Sequence, residues 1–345
     1  MSQTTKAKVA AVLTGLAVAI GGCGPATSDV GPGESVERTS SELLFFFPLP
    51  RFLLSVDLVG RGLNGMSLNG KALDDRMLTE VSLKSVRMAD GKKKNLDLTA
   101  TSFTGSKLDL AKSRKEMVGA TFAGILDDGD SLLLRVTAVE PSTGTTPFLR
   151  YAVAYPADGA WQPLCGLDDA GAAVLAIPLE GTWDYRQGVE EGGSWNEDDK
   201  AFTFACEGFV LAKCVDMGYA PWIQGKMCIG DQPKMKCRQT SLAAHHQACA
   251  RMLRADFCGD GSSYTSDGTW VNAYDGLGIR NDSENWPLEA EWDANGARCA
   301  VRERLHSAGF EPPCMDRLAS PDCGDLAHFE KGTLVISESA GANLP

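Results

Sequence analysis

The sequence lacks the short motifs that mark the commonest nucleotide-binding proteins and hydrolases. It contains no Walker-type phosphate loop and no Gly-x-Ser-x-Gly elbow that would present a nucleophilic serine. Beyond residue 23, no apolar run reaches the roughly 20 residues that a transmembrane helix requires. Binding proteins, structural proteins and less common enzymes remain open, and we expect no cofactor and no bound metal.

Basic residues are outnumbered by acidic ones, 33 to 45, which gives the 345-residue chain a net charge of −12. A negatively charged surface repels the phosphates of nucleic acids and the anionic headgroups of membranes. The charge therefore argues against a nucleic-acid partner.

The first 23 residues have the three-part layout of a bacterial export signal. Lys6 and Lys8 precede an apolar stretch over residues 9–20, which ends in Gly-Gly-Cys23. This end resembles a lipobox, at which processing attaches diacylglycerol to the cysteine and cleaves before it. We therefore predict a signal peptide over residues 1–22 and lipidation of Cys23. An ordinary secretory signal is the alternative.

Both interpretations export the protein, and lipidation would also tether it to a membrane. We predict the bacterial cell envelope as its location, at the outer membrane, on the periplasmic face or the surface. Residues 23–42 are rich in Gly, Pro, Ser and Thr and poor in apolar side chains, which predicts a flexible tether. The membrane, reached through the lipid anchor, is the first predicted partner.

Residues 43–120 are predicted to form a β-rich segment in which leucine recurs at every fifth position. The series comprises Leu53, Leu58, Leu63, Leu68, Leu73, Leu78 and Leu83, and its frame continues through Met88, Leu98, Phe103, Leu108 and Val118. A step of five fits neither a helix nor a continuous strand, but it fits short straight pieces separated by corners. The period is similar to that of pentapeptide-repeat solenoids, whose stacked coils share one core. A β-meander is the alternative.

The remaining chain predicts an α+β fold, with antiparallel β over residues 121–206 followed by a cysteine-rich α+β domain over residues 207–345. Strands are expected at residues 122–126, 132–139, 149–155, 173–179 and 201–205. Helices are expected at residues 208–217, after a cap at Thr240 or Ser241, and at residues 297–308, with a last strand at 333–338.

The chain has eleven cysteines, and setting aside Cys23 leaves an even number. They are Cys165, Cys206, Cys214, Cys228, Cys237, Cys249, Cys258, Cys299, Cys314 and Cys323. In an exported chain an even set predicts a disulfide framework, although the sequence does not give the pairing. Zinc ligation is the competing use, but no two cysteines have the two-to-four-residue spacing of a zinc knuckle.

A predicted helix and turn over residues 241–275 carry a family resemblance. The run from Cys249 to Gly261, which contains Ala255-Asp256-Phe257-Cys258, resembles the signature of the ADYC-domain family, found in myxobacterial exported proteins. The family is named for Ala-Asp-Tyr-Cys, so Phe257 retains the aromatic ring and lacks the hydroxyl. The resemblance covers residues 204–275 and extends more loosely to Cys323. It implies a cysteine-rich envelope module and brings no activity with it.

One set of residues near this turn has the composition of a catalytic site. Cys258, with His245 or His246 and with Asp256 or Asp260, supplies a nucleophile, a base and an orienting acid. Attack by cysteine requires a free thiolate. An oxidising compartment favours a disulfide at Cys258 instead.

Two other sets have the composition of metal sites. His245, His246 and Cys249 lie within one helical turn, but successive residues of a helix point about 100° apart, so at most one histidine shares a face with the cysteine. We therefore expect surface or half-buried histidines. The acidic loop 190–199 lacks the regular alternation of a calcium-binding loop, and a solvated loop is expected.

Tryptophans are confined to the last two-thirds of the chain. They are Trp161, Trp183, Trp195, Trp222, Trp270, Trp286 and Trp292. Exposed rings would stack on the sugars of an envelope glycan, whereas buried rings would belong to ordinary cores. Envelope glycan and another envelope protein are thus the candidate partners besides the membrane.

The sequence therefore predicts a lipid-anchored cell-envelope protein that acts by binding or as a structural component. An envelope enzyme that uses the Cys258 set is the alternative. The candidate binding region is the turn after the central helix, with Gly259, Asp260, Gly261 and Tyr264.

Overall fold

The computed structural model describes residues 76–106, 108, 110–143, 148–229, 236–265, 269–302 and 311–339. Of these residues, 40% lie in strands and 15% in helices, so the fold is β-rich. The predicted signal peptide, Cys23, the tether and leucines 53–73 lie outside the described residues. Within the described part of the chain, every helix is too short or too polar to cross a membrane.

The strands fall into an N-terminal and a C-terminal group. The first group is β1 (Leu78–Ser82), β2 (Val86–Arg87), β3 (Lys93–Lys94), β4 (Leu96–Thr99), β5 (Ser102–Gly105), β6 (Thr121–Leu126), β7 (Ser131–Pro141), β8 (Leu149–Ala157), β9 (Ala160–Pro163), β10 (Ala176–Glu180), β11 (Thr182–Trp183), β12 (Trp195–Asn196) and β13 (Ala201–Cys206). The second is β14 (Gln224–Ile229), β15 (Lys236–Ser241), β16 (Asn272–Asp275), β17 (Leu288–Asp293), β18 (Gly296–Ala300) and β19 (Val335–Glu338).

Among the described residues, helices are few and mostly short. They are α1 (Leu110–Glu116), α2 (Val210–Asp216), α3 (Ala243–Arg254), α4 (Met315–Leu318) and a 3₁₀ helix (Leu326–Lys331).

Six antiparallel strands of the first group close into a barrel. Their order is β1-β13-β10-β8-β7-β6, and β6 pairs back onto β1. Five aromatic rings with centroids 4.7–6.5 Å apart pack together in its core: Phe103, Tyr151, Phe122, Phe202 and Phe204. A barrel this small is filled by its own side chains. Its interior is therefore a packed core, and a binding site has to be sought elsewhere.

The described part of the five-residue leucine series forms a β-meander whose side chains contribute to this core. Five of its members are buried there: Leu78, Leu83, Met88, Phe103 and Leu108. Over residues 76–106 the chain folds into antiparallel pairs, and corners at Ser85 and Ala100 have positive φ angles of 55° and 54°. Each corner resets which side of the chain faces inward. The meander alternative describes this part, and the solenoid interpretation of the earlier leucines stays a prediction.

The antiparallel strands predicted over residues 121–206 are present. Those expected at 122–126, 132–139, 149–155 and 201–205 correspond to β6, β7, β8 and β13, and the one expected at 173–179 begins at Ala176 as β10. The hairpin between β6 and β7 turns at Gly129, whose φ is +87°. Period-two patterns between turn residues were a sufficient signal for these strands.

In the C-terminal half, α3 packs against a four-stranded antiparallel sheet of order β16-β19-β17-β18, and α2 packs against α3 and β13. The helix predicted over residues 297–308 is wrong at its start, because residues 296–300 form β18 and pair with β17. The spacing of Cys299 and Val301 fits a helix or a strand. The segment forms a strand because its backbone pairs with β17. Residues 303–310 lie outside the described part.

Four disulfides are defined in the structure. They join Cys165 to Cys206, Cys214 to Cys249, Cys258 to Cys314, and Cys299 to Cys323. Cys237 is also disulfide-bonded, and its position in the β14–β15 ladder is opposite Cys228. The predicted disulfide framework is confirmed. Cys214–Cys249 ties α2 to α3 and so fixes the central helix in its core.

Candidate functional site

The central helix α3 ends in a tight left-handed turn at Ala255. The φ and ψ angles of this residue are 52° and 40°. Its N–H donates to the Met252 carbonyl and the N–H of Asp256 donates to the Arg251 carbonyl, both at 2.9 Å, which is the Schellman pattern of helix termination. The turn reverses the chain and directs Asp256 into the protein.

Asp256 is the centre around which the following turn is built. Its side chain is fully buried and pairs with the Arg251 guanidinium. Its two oxygens accept the backbone N–H groups of Gly259 (3.0 Å), Asp260 (3.1 Å) and Gly261 (3.0 Å). Burial raises the pKa of the Asp256 carboxyl, and the positive charge of Arg251 opposes that rise.

The polar side chains of α3 fix a neighbouring acidic loop against this turn. Arg251 donates to the Gly192 carbonyl (2.6 Å) and to the Ser194 hydroxyl (2.9 Å). Gln247 donates to the Gly193 carbonyl at 2.8 Å. The sequence predicted a solvated loop over residues 190–199, and at Gly192 and Gly193 that prediction is wrong because both residues are buried against α3.

The last two residues of the Ala-Asp-Phe-Cys run connect the turn to the rest of the fold. Phe257 is buried, with its ring centroid 5.1 Å from that of Trp292 on β17. Cys258 forms the disulfide with Cys314, and its carbonyl accepts a hydrogen bond from Arg317 at 3.2 Å. All four residues of the Ala-Asp-Phe-Cys run therefore have a structural role.

A solvent-facing cleft of about 570 Å³ lies beside this disulfide. Its lining residues come from the turn, from the acidic loop and from the segment around α4: Glu190, Cys258, Gly259, Asp260, Pro313, Cys314, Asp316 and Arg317. Three carboxylates and one guanidinium border it, so a ligand would meet a polar rim with excess negative charge. A volume of several hundred Å³ is within the range of small-molecule sites.

The family-model comparison matches the ADYC domain over residues 114–306, which is more than half of the chain. The chain belongs to the ADYC domain family. The resemblance seen in residues 249–261 is thereby confirmed. No curated protein and no solved structure matches the chain. The matched part of this ADYC protein runs from the barrel through α3 to β18, and the Cys314 and Cys323 partners lie beyond it.

The predicted binding region of the ADYC protein is only partly at the cleft. Gly259 and Asp260 line it, whereas Gly261 is buried and Tyr264 is half-buried, with its ring 6.4 Å from that of Phe257. Sequence reasoning missed the opposite wall, formed by residues 313–317. The Cys258–Cys314 pairing would have located that wall, but cysteine positions alone do not give connectivity.

The histidines of the predicted catalytic set lie at the opposite end of α3 from the turn that carries Cys258. His245 and His246 are in the first turn of α3, roughly 13 Å along the helix axis from its last residue. Both are 1% exposed, so the expectation of surface or half-buried histidines is wrong. Burial lowers the pKa of both to about 4, which leaves them neutral at pH 7.

The two histidines have different surroundings within the core. Nε2 of His246 lies 2.9 Å from the Leu211 carbonyl on α2. The ring of His245 stacks on Tyr219, with centroids 6.1 Å apart, and neither of its nitrogens has a hydrogen-bond partner in the described part of the chain. Cys249 is bonded to Cys214, so the three residues weighed as metal ligands are structural.

The tryptophans are mainly core residues. Trp183 and Trp292 are buried, and Trp195 and Trp222 pack against the same core. Among the described tryptophans, only Trp161 counts as exposed, at 37%, and the Arg135 guanidinium lies 3.8 Å above its ring. A row of exposed rings for sugar stacking is therefore not presented by the described surface.

Proposed function

We propose that this ADYC protein is a lipid-anchored component of the bacterial cell envelope that binds an envelope ligand or partner protein in the cleft beside Cys258–Cys314. One observation carries the binding proposal. The reactive residue types of the Ala-Asp-Phe-Cys turn are all engaged in holding the turn, and the turn forms one wall of a solvent-facing cleft.

The state of these side chains favours binding over catalysis. A cysteine nucleophile needs a free thiolate and a base within hydrogen-bond reach. Cys258 is in a disulfide, Asp256 is committed to Arg251 and three backbone N–H groups, and the buried histidines lie at the other end of α3. The cleft therefore offers shape and charge for recognition, and its disulfide holds the two walls together.

Export to the envelope is supported by the disulfides and by the N-terminal sequence. Disulfides persist in oxidising compartments and are rare in the reducing cytosol. The four disulfides defined in this fold therefore favour an oxidising compartment. The lipobox-like sequence ending at Cys23 would supply the anchor, and the tether after it would separate the fold from the membrane.

Site-specific photo-crosslinking in the native envelope tests the cleft. A photoreactive residue at position 316, whose side chain is 97% exposed at the rim, should capture a discrete adduct that is absent when the same residue stands at Glu140 on β7. In the double variant Glu190→Lys/Asp316→Lys, the photoreactive residue is placed at position 317 instead. The yield of the adduct should fall about tenfold, because the two lysines reverse the charge of the cleft rim. The matched reversal Glu140→Lys/Asp169→Lys should retain it. Identical adducts from positions 316 and 140, or an adduct that survives the rim reversal, would count against the cleft.

Fractionation tests the anchor separately. Wild-type protein should sediment with membranes and carry the mass of a diacylglycerol group, whereas Cys23→Ser should appear in the soluble fraction. Pro25→Ala, a change two residues on in the same tether, should behave like wild type. Membrane association of Cys23→Ser would contradict the lipid-anchor proposal and leave the cleft proposal standing.

A further inference from the structure

A second group of chemically active side chains lies away from the cleft, on the C-terminal sheet. Ligand atoms of Glu291, Cys299 and Cys323 all lie within 4.8 Å of one another. Glu291 is 1% exposed and Cys299 is 5% exposed, so the cluster is largely sheltered from water. The two cysteines are bonded to each other.

The backbone, and not only the disulfide, brings these residues together. Glu291 on β17 is the register partner of Cys299 on β18, and side chains of directly opposed residues lie side by side on one face of a sheet. Cys323 precedes Gly324, whose N–H donates to Glu291 Oε1 at 2.6 Å. The three side chains therefore stay neighbours when the sulfur–sulfur bond is broken.

The carboxylate of Glu291 is oriented by three donors and retains capacity for one more partner. Oε1 accepts from Gly324 and contacts His328 Nδ1 at 2.8 Å, and Oε2 accepts from the Thr333 hydroxyl at 2.6 Å. An ionised carboxylate has about four acceptor positions. Among the described residues, the Thr333 hydroxyl is the one donor to Oε2, so the remaining position is on that oxygen. Partners of this kind orient metal-ligating carboxylates and raise metal affinity about 10–100-fold.

We propose that Cys299, Cys323 and Glu291 form a zinc site when their disulfide is reduced. Two thiolates and one carboxylate are ligands that Zn²⁺ accepts in tetrahedral geometry, with water completing the fourth position. Tetrahedral zinc–ligand bonds of about 2.0–2.3 Å place ligand atoms roughly 3.3–3.8 Å from one another. The carboxylate oxygen already lies within 4.8 Å of both sulfurs, and the sulfurs, which are bonded to each other here, move apart to that spacing once the disulfide is reduced. His328 and Thr333 are positioning residues that hold the carboxylate.

Zinc and the disulfide exclude each other at this site. A dithiol reductant transfers two electrons: the Cys299–Cys323 bond breaks, a disulfide forms in the reductant, and its two protons pass to the new thiols. Zinc binding then displaces those two protons, because the thiolate is the ligand. Oxidation reverses the sequence and releases the metal. The oxidised fold is thus the metal-free form, and the reduced fold is the zinc form.

Equilibrium dialysis of the full-length protein against Zn²⁺ alone, with and without a metal-free reductant, tests this proposal. The reduced wild type should bind one zinc that the oxidised protein does not bind, and zinc should raise its melting temperature. Cys299→Ser/Cys323→Ser should lose that zinc in the reduced state. The matched double variant Cys165→Ser/Cys206→Ser, which removes the disulfide of the barrel and lies outside both sites, should keep it.

Two single changes separate a ligand from a positioning residue. Glu291→Gln should weaken zinc binding by more than 100-fold, and His328→Gln by about 10–100-fold. Cobalt(II) in place of zinc should give a thiolate-to-cobalt charge-transfer band in the reduced wild type, since that absorption requires sulfur ligands. Circular dichroism checks that each protein is folded. Reduced wild type that binds no more zinc than Cys299→Ser/Cys323→Ser overturns the proposal, and so does a reduced protein that is unfolded with zinc present.

Discussion

Asp256 shows how a residue that looks catalytic in the sequence serves as a structural centre. It accepts three backbone N–H groups of the turn 259–261 and pairs with Arg251 inside the protein. Arg251 in turn binds the loop that carries Gly192. A single carboxylate therefore joins the helix end, the turn and the loop that together form one wall of the cleft.

Asp256→Asn should destabilise the fold by about 3–5 kcal/mol, because it leaves the Arg251 guanidinium buried without its counter-charge. Urea unfolding, followed by tryptophan fluorescence, measures the change. Asp293→Asn removes a partly exposed partner of Arg298 and should cost less than about 1 kcal/mol. Equal losses of unfolding free energy for the two variants would show that the buried Arg251–Asp256 pair stabilises the fold no more than the partly exposed Arg298–Asp293 pair.

Gly259 is fixed by a close approach as well as by its backbone angle. Its φ is +72°, and a Cβ there would collide with the Asn295 carbonyl oxygen. Gly259→Ala should therefore cost more than about 3 kcal/mol and loosen the cleft wall. Gly278 has a φ of +71° with open space around it, so Gly278→Ala should cost only the backbone strain of about 1–2 kcal/mol. Thermal unfolding of both variants compares these values, and similar shifts would rule out the steric argument.

At the scale of elements, the central helix α3 is buried on nearly all of its surface. Ten of its twelve residues are buried, including Arg251 and Arg254. Several of its polar side chains donate to loop carbonyls: Gln247 to that of Gly193, 54 residues away, and Arg254 to that of Gly261 in the turn that follows. Periodicity identifies the helix but not its start: Thr240 and Ser241, the predicted caps, end β15, and the N-cap is Leu242. Periodicity also does not reveal that polar groups on the other face will be covered. This explains why the histidines were expected nearer the surface.

The buried histidines of α3 predict acid sensitivity. Their folded pKa of about 4 lies below the ordinary value of 6.5, so the unfolded chain takes up protons first as the pH falls. The stability that they contribute is complete above pH 6.5 and is lost between pH 6.5 and about 4. The slope should reach about 1.4 kcal/mol per pH unit for each histidine.

Urea unfolding from pH 7.5 to pH 4, at constant ionic strength, measures that slope. His245→Gln/His246→Gln should have a flatter dependence, whatever its absolute stability, because glutamine does not titrate. Buried carboxyls such as Asp275, whose pKa is raised by burial, are the same in both proteins and cancel in the comparison. Parallel profiles for the two proteins would show that the histidines do not carry the effect.

At the scale of the molecule, the sequence predicts the parts of the fold better than their arrangement. Local patterns indicate the strands of residues 121–206, the helix α2 and the last strand. Closure of the barrel depends on β1 pairing with both β6 and β13, and the latter is more than 100 residues away. The cleft likewise depends on Cys258 finding Cys314, 56 residues on. Contacts of this kind leave no periodic trace in the chain.

The positions of the disulfides in the whole molecule predict the order in which they are reduced. Reduction needs a thiolate to reach one of the sulfurs, so access controls the rate. Cys214 and Cys249 are both completely buried between α2 and α3, whereas Cys258 and Cys314 are half-exposed at the cleft. Cys258–Cys314 should open at least about tenfold faster than Cys214–Cys249 under native conditions.

Timed reduction of the native protein, quenched by alkylation and read by mass spectrometry of peptides, measures this order. Alkylation should appear first at Cys258 and Cys314, and Cys214 and Cys249 should be labelled only when the protein unfolds, because their exposure requires separation of the two helices. Pre-unfolded protein in urea is the control, since all pairs should then react at similar rates. Early labelling of Cys214 and Cys249 in folded protein would mean that α2 and α3 separate readily. In that case the disulfide between them, and not the packing of their shared core, holds the central helix in place.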